Sequence, residues 1–233
     1  MSVMLEVCVA IGAKYSDTAL PDSGSPDHSA LREIDDSAKT NCIIAGVGGQ
    51  GTVLAARLIG LAAMQTGQDV RGSETIGMAQ RGGSVVSHVR MGKDIAAPLI
   101  PQGKAHLVIA FEPGEALRAA RFLRTDGIMV VSDRAILPAV PGDYDPARAL
   151  FWIAENIPGA RLLSGDEILQ KCGARGLNVA LLGAACALGA FPFGMGAIEA
   201  AIRERLGEKY LEMNLHALRV GADMIQSNQQ NGG

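Results

Sequence analysis

The chain has 233 residues, of which 48% are hydrophobic and 19% charged, enough apolar material for one substantial domain and too much for a disordered chain. A net charge of −3, with no basic stripe interleaved with aromatics, gives no field to hold a phosphate backbone and argues against nucleic acid as a partner. The four cysteines, Cys8, Cys42, Cys172 and Cys186, are too scattered for a zinc site, an iron–sulfur cluster or a secreted disulfide framework.

The first stretch, Met1 to Ala13, is apolar but lacks a Lys or Arg ahead of its hydrophobic run and contains Glu6, so it does not read as a signal peptide and a cytoplasmic location is expected. Val3 to Ile11 is either an added strand or an upstream extension. From Tyr15 to Lys39 the chain is polar and acidic, with Pro21, Gly24, Pro26, Asp35 and Asp36 and no sustained periodicity, which reads as a linker. The folded unit is therefore expected over 40–226, after a partly disordered extension over 1–39 and before a frayed polar tail over 227–233.

Within that unit, Asn41 to Ala45 reads as a buried strand and Thr52 to Gln65 as a helix apolar on nearly all sides. Asp69 to Ser73 is a candidate second strand, and Ser84 to Arg90 alternates before Gly92 closes it. Leu107 to Phe111 and Ile128 to Ser132 are two further buried strands, separated by a helix with Pro113 in its first turn. The second half is mainly helical. Asn178 to Ala190 is dominated by Ala and Gly, which suits either core or a subunit interface. The last helix carries Leu211, Leu215, Leu218, Ala222 and Ile225 at steps of four and three. The uncharged run Val179 to Ile198 is long enough to span a bilayer, but four glycines and Pro192 argue against insertion. The alternation predicts an α/β fold, a three-layer α/β/α arrangement with a mixed sheet and a Rossmann-like first βα unit. Trp152 and Met64 are core candidates.

The most informative stretch is Gly46-Val47-Gly48-Gly49-Gln50-Gly51, which follows a buried strand and opens a helix. Glycines there let backbone N–H groups point at an anion at the positive end of the helix dipole. Gly46, Gly48 and Gly51 also satisfy G-x-G-x-x-G, and Glu74 falls at the end of the next strand, where a ribose-binding acid would stand, so a dinucleotide site is one reading and a ligand-free tight turn another. Ser73 to Ser84 follows as a polar loop in which Gln80, Arg81, Gly82 and Gly83 could close over an anionic group, Arg81 being its strongest anion partner. The alternative is an exposed hinge. His88 reads as a hydrogen-bonded sheet residue rather than a base, and Glu112 as a helix cap rather than a catalytic carboxylate.

The order GVGGQG, SETIGMAQRGG, SHVRMG, with APLIP and FEP downstream, resembles the small (beta) subunit of indolepyruvate ferredoxin oxidoreductase, equivalent to the gamma domain of pyruvate ferredoxin oxidoreductases. The resemblance runs from about Thr40 to Gly221 and includes Asn178, Pro192, Lys209, Glu212, Asn214 and Ala217. It implies a part in the oxidative decarboxylation of a 2-oxoacid, such as indolepyruvate or another aryl pyruvate, to acyl-CoA, with coenzyme A as co-substrate and ferredoxin as acceptor. It also implies that thiamine diphosphate, Mg and 4Fe–4S clusters belong to a large (alpha) partner subunit, in a heterodimer or a dimer of heterodimers. No catalytic or metal-binding residue is then expected here; Gly46, Gly48, Gly49, Gln50, Gly51, Glu74, Gln80, Arg81, Gly82 and Gly83 form the expected ligand- or interface-binding surface. A stand-alone NAD- or FAD-binding reductase and a non-enzymatic partner-binding module are the competing readings.

Overall fold

The computed structural model describes residues 39–76, 83–137 and 143–230. β1 (Thr40–Val47) is buried along nearly its whole length and runs into α1 (Thr52–Gln65). β2 (Asp69–Ile76) and β3 (Ser84–Gly92) follow as an antiparallel pair. Next come β4 (Ala105–Ala110), α2 (Pro113–Ala120), β5 (Leu123–Ser132), α3 (Pro146–Asn156) and β6 (Ala160–Leu163). The chain then turns helical with α4 (Gly165–Cys172), α5 (Leu177–Ala187), α6 (Met195–Arg205) and α7 (Glu208–Gln230). None of the described helices is long and apolar enough to cross a membrane.

The six strands form one mixed sheet in the order β2-β3-β1-β4-β5-β6. β1, β4, β5 and β6 are parallel neighbours, whereas β3 runs antiparallel between β1 and β2. Side chains alternate across this sheet, as a period of two requires. Cys42, Ile44, Leu107, Ile109 and Val130 join α1, α5, α6 and α7 on one face; Ile43, Ala45, Val108, Ala110, Met129 and Val131 meet α2 and α3 on the other. The result is the expected three-layer α/β/α architecture. Each fully buried Ile, Leu or Val contributes about 1.5–3 kcal/mol relative to an exposed position.

The Ala/Gly helix α5 settles into the core against α7. A Cβ added at Gly183 would stand 1.8 Å from the Leu218 carbonyl oxygen, and one at Gly221 would stand 1.7 Å from that of Ala180. Two backbones thus meet where each glycine removes a side chain, and the open choice between core and subunit interface resolves to core.

Several expectations are corrected. Ser73–Ile76 belong to β2 rather than to a loop, because they pair in register with Val85–His88 of β3. β6 is an additional strand, short and at the sheet edge. Met64 and Trp152 are 56% and 45% exposed, so neither is core. α7 reaches Gln230, so the stretch from Ser227 that composition assigns to a polar tail is helical through Gln230.

Candidate functional site

In a doubly wound sheet, ligands sit beyond the carboxyl ends of the strands, where neighbouring connections leave for opposite faces. That point here lies between β1 and β4, because α1 packs on one face of the sheet and α2 on the other. The glycine turn after β1, Glu112 after β4 and Asp133 after β5 therefore line one edge, and the N-terminal end of the antiparallel β3 joins them there.

The glycine turn is held by its own glutamine. Gln50 Oε1 accepts from the Val47 amide at 2.7 Å while its Nε2 donates to the Phe111 carbonyl at 3.0 Å, bridging the ends of β1 and β4. Gly48 N–H donates to the Gly83 carbonyl at 2.8 Å, which fastens the base of β3 to the same turn. Gly51 is the N-cap of α1 with φ of 87°, in the left-handed region, and a Cβ there would meet Asn178 Nδ2 at 2.4 Å. Both facts require glycine. No side chain caps α1, so the amides of its first turn keep no intrahelical partner and face outward with the dipole's positive end.

Of the residues singled out in the sequence, Gly46, Gly48, Gly49, Gln50, Gly51 and Gly83 come together at this edge. Glu74 does not join them. It lies on β2, opposite Ser87, with β3 interposed between its strand and β1, roughly two strand spacings of about 4.8 Å each from the turn. A ribose-binding acid belongs on the strand directly beside β1. The dinucleotide reading loses its carboxylate for that reason. Gln80, Arg81 and Gly82 lie outside the described residues.

The fold adds two cations that the linear motif did not reveal. Arg134 and Arg175 border a cleft of about 670 Å³ whose floor is Gly49, Gln50, Gly51, Leu54 and Asn178. Arg134 stands two residues beyond β5, at the carboxyl end of a parallel strand, and that position is the signal by which it could have been found. Arg175 stacks over the Tyr210 ring, 5.8 Å from its centroid. A groove of about 690 Å³ between α1 and β2 is of similar size, but it is walled by Ala56, Gly60, Leu61, Met64, Val70 and Gly72 on the flank of the sheet. The strand-end cleft is lined by two arginines and no carboxylate, which suits an anion, whereas in the flank groove Arg57 and Arg205 are accompanied by Glu74 and Glu204.

Beside the turn lies a carboxylate network. Glu112 caps α2, as expected, through Oε2 to the Glu115 amide at 2.9 Å, and it accepts a short hydrogen bond from the Tyr144 hydroxyl. That hydroxyl in turn accepts from Gly114 N–H at 2.9 Å. Burial first, and then the Glu112 carboxylate, push the Tyr144 phenol well above its usual range, so it remains a donor. Glu115 pairs with Arg118 and accepts from the Ser84 hydroxyl. Ser84 directly follows Gly83, so this network also anchors the start of β3.

His88 and His106 play structural parts. His88 Nδ1 accepts from the Ile100 amide at 3.1 Å, and its ring packs edge-on against Phe122. Burial holds its pKa below the ordinary value. His106 Nδ1 accepts from the Asn41 amide. Burial also raises the thiols of Cys42, Cys172 and Cys186, the last to about 12, which disfavours the thiolate that a cluster or zinc ion needs. Among the described residues no group of three His, Cys, Asp or Glu side chains could hold a metal ion. The three scattered cysteines among the described residues do not fit a redox cluster.

Fold and edge together define a doubly wound α/β domain that presents the uncapped end of a helix beside two arginines at its switch point. The chain belongs to the pyruvate ferredoxin/flavodoxin oxidoreductase family, whose model matches residues 41–224. It is 39% identical over 189 residues to the indolepyruvate oxidoreductase subunit IorB of Archaeoglobus fulgidus, covering 78% of this chain and 94% of that one. The IorB subunit of Methanothermobacter thermautotrophicus is 36% identical over 78% of this chain and 95% of its own. Among solved structures, the gamma subunit of a keto/oxoacid ferredoxin oxidoreductase from Geobacter sulfurreducens superposes with a TM-score of 0.59 at 22% identity, over 81% of this chain and 99% of that one. The 2-oxoglutarate:ferredoxin oxidoreductase of Magnetococcus marinus, solved with 2-oxoglutarate, coenzyme A and succinyl-CoA bound, gives 0.61 at 20% identity; the match covers 82% of this chain and 31% of that longer one.

Proposed function

We propose that this chain is the small subunit of an indolepyruvate or other aryl pyruvate ferredoxin oxidoreductase, and that it lines the cleft through which coenzyme A reaches a larger partner subunit. The reaction joins a 2-oxoacid and coenzyme A to give acyl-CoA and carbon dioxide, and passes the released electron pair to ferredoxin. Thiamine diphosphate with Mg supplies the decarboxylation chemistry and 4Fe–4S clusters the electron path, both in the larger subunit, because no donor set on the described residues of this chain suits either. The two subunits form a heterodimer or a dimer of heterodimers in the cytoplasm.

The observation that carries the reading is the cleft at the strand ends. The N-terminus of α1, which no side chain caps, meets Arg134 and Arg175 around a space of about 670 Å³, within the range that encloses most of a cofactor-sized ligand. Leu54 and Ile136 give that cleft an apolar wall beside its cationic one, which suits a ligand that joins phosphates to a pantetheine arm. Gln80, Arg81 and Gly82, which lie outside the described residues, are included in the proposed surface on the sequence resemblance alone.

Arg81→Ala in the assembled enzyme should raise the KM for coenzyme A about tenfold with kcat little changed, the loss of one charge-assisted hydrogen bond of roughly 1.5 kcal/mol. Arg134→Ala should raise it by a smaller factor, because that side chain is exposed and its contact is screened by water. Unchanged kinetics and unchanged assembly in both variants would remove this edge from the coenzyme A path.

A further inference from the structure

Two glycines face the flank groove between α1 and β2, and the fold requires neither. Gly60 stands within α1 and Gly72 within β2, and neither has a positive φ. Among the described residues, a Cβ at Gly60 would meet only Val70 Cγ1 outside its own helix, at 3.6 Å, and one at Gly72 only the His88 carbonyl oxygen, at 3.5 Å; both are ordinary contacts. Glycine weakens the interior of a helix or strand, so these two positions lower stability and leave room. Ser87 supplies a second observation. It pairs with Glu74 of β2 and Ile44 of β1, which turns its side chain to the α1 face, where it lines the groove. It is fully buried, and its hydroxyl is the one buried side-chain polar atom among the described residues without a hydrogen-bond partner. Native proteins seldom leave such a group unpaired.

We infer that this groove binds a zwitterionic aromatic α-amino acid. Ala56, Leu61, Met64, Val70 and Val89 give it apolar walls for the ring, with the exposed Met64 as its lip. Its volume of about 690 Å³ is within the range of small-molecule sites. Ser87 Oγ at the floor accepts a ring N–H or O–H, which favours an indole or a phenol over a plain phenyl ring. The rim carries both signs of charge, Arg57 and Arg205 for a carboxylate and Glu74 and Glu204 for an ammonium group. Among the described residues none of the four joins an ion pair, and their one side-chain hydrogen bond is that which Glu204 accepts from Gln65, so they do not neutralise one another by contact. A purely anionic ligand would oppose Glu74 and Glu204, whereas a zwitterion meets both signs. All four are exposed, so each charge contact is weak and the ring with its polar hydrogen carries most of the discrimination. The groove shares no lining residue with the strand-end cleft, so the inference stands apart from the coenzyme A reading.

The test is calorimetric titration of the full-length chain with L-tryptophan, L-phenylalanine and indole, for wild type, Gly72→Val and Ser87→Ala, with thermal melting of each protein. Wild type should bind L-tryptophan about fivefold more tightly than L-phenylalanine, the worth of one hydrogen bond, and by a similar factor more tightly than indole, which lacks the charged head. Gly72→Val fills the groove from β2 and should weaken L-tryptophan about tenfold or more without lowering the melting temperature, because a β-branched residue suits a strand. Ser87→Ala should erase the preference for L-tryptophan over L-phenylalanine and melt no lower than wild type, since it removes an unpaired buried hydroxyl. Absence of L-tryptophan binding to wild type at millimolar concentration, or binding that Gly72→Val leaves intact, would overturn the inference. Indole bound as tightly as L-tryptophan would also overturn it, by showing that the charged rim plays no part.

Discussion

Two glycine-rich regions of this molecule look alike in composition and differ in what approaches them. At the α5/α7 crossing the visitor is the chain's own backbone, since a methyl on Gly183 or Gly221 would press onto a carbonyl oxygen at 1.8 or 1.7 Å. At the turn after β1, Gly49 and Gly51 border a cleft; a Cβ on Gly49 would meet no atom within 4 Å, whereas one on Gly46 or Gly51 would press on a side chain rather than on backbone. The first region stabilises the fold by letting helices touch. The second leaves the uncapped end of α1 beside Arg134 and Arg175, at the border of an open cleft.

The largest effect that would sharpen this contrast is expected from Gly221→Ala. Its added methyl collides with backbone that cannot rotate away, so the helices must separate, and overpacking of this kind costs about 3 kcal/mol or more. Chemical denaturation should show that loss, and a variant as stable as wild type would break the account of the crossing. Gly49→Ala is the matched experiment at the turn. With φ of 103° it should lose only about 1–2 kcal/mol from backbone strain, and no steric term should add to it. A larger loss than at Gly221 would reverse the comparison.

Glu112→Ala probes the carboxylate network beside the turn. It removes the cap of α2 and leaves the Tyr144 hydroxyl and the Glu115 amide without their acceptor, so a loss of about 1–2 kcal/mol is expected in denaturation, with α2 the element that loosens in hydrogen exchange.

The smallest effect concerns pH and lies away from both regions. His88 is held neutral by burial and accepts from Ile100, so its folded pKa lies below the ordinary value near 6.5. The unfolded chain then takes up a proton that the native one refuses, and the stability is complete above about pH 6.5 and lost as pH falls through that value toward the lower folded pKa. Melting temperature measured from pH 7.5 to 5 should decline, and His88→Asn should flatten that part of the profile. An identical profile in the variant would show that another group governs it.

How much of this could be read in advance follows from range along the chain. β1, α1 and β3 declare themselves through short-range periodicity, and α1 matches the predicted Thr52 to Gln65. The cap at Glu112 was legible because capping is local. β6 was not, since Ala160 to Leu163 is a four-residue edge strand with no alternating pattern and two exposed positions. Trp152 and Met64 misled because hydrophobicity reports a preference for burial, not its occurrence. The insertion of β3 between β1 and β2, which removes Glu74 from the turn, is a pairing choice that no local window encodes. Arg134 and Arg175 are far from the glycine turn in sequence and reach it only through the fold.

The central claim is a division of labour between this chain and a larger subunit, and reconstitution tests it most directly. Purified alone, the chain should show no aryl pyruvate-dependent, coenzyme A-dependent reduction of ferredoxin and bind no iron. Titrated into the larger subunit, it should restore turnover that saturates at a fixed ratio of the two. Turnover by the isolated chain, or a larger subunit equally active without it, would contradict the account.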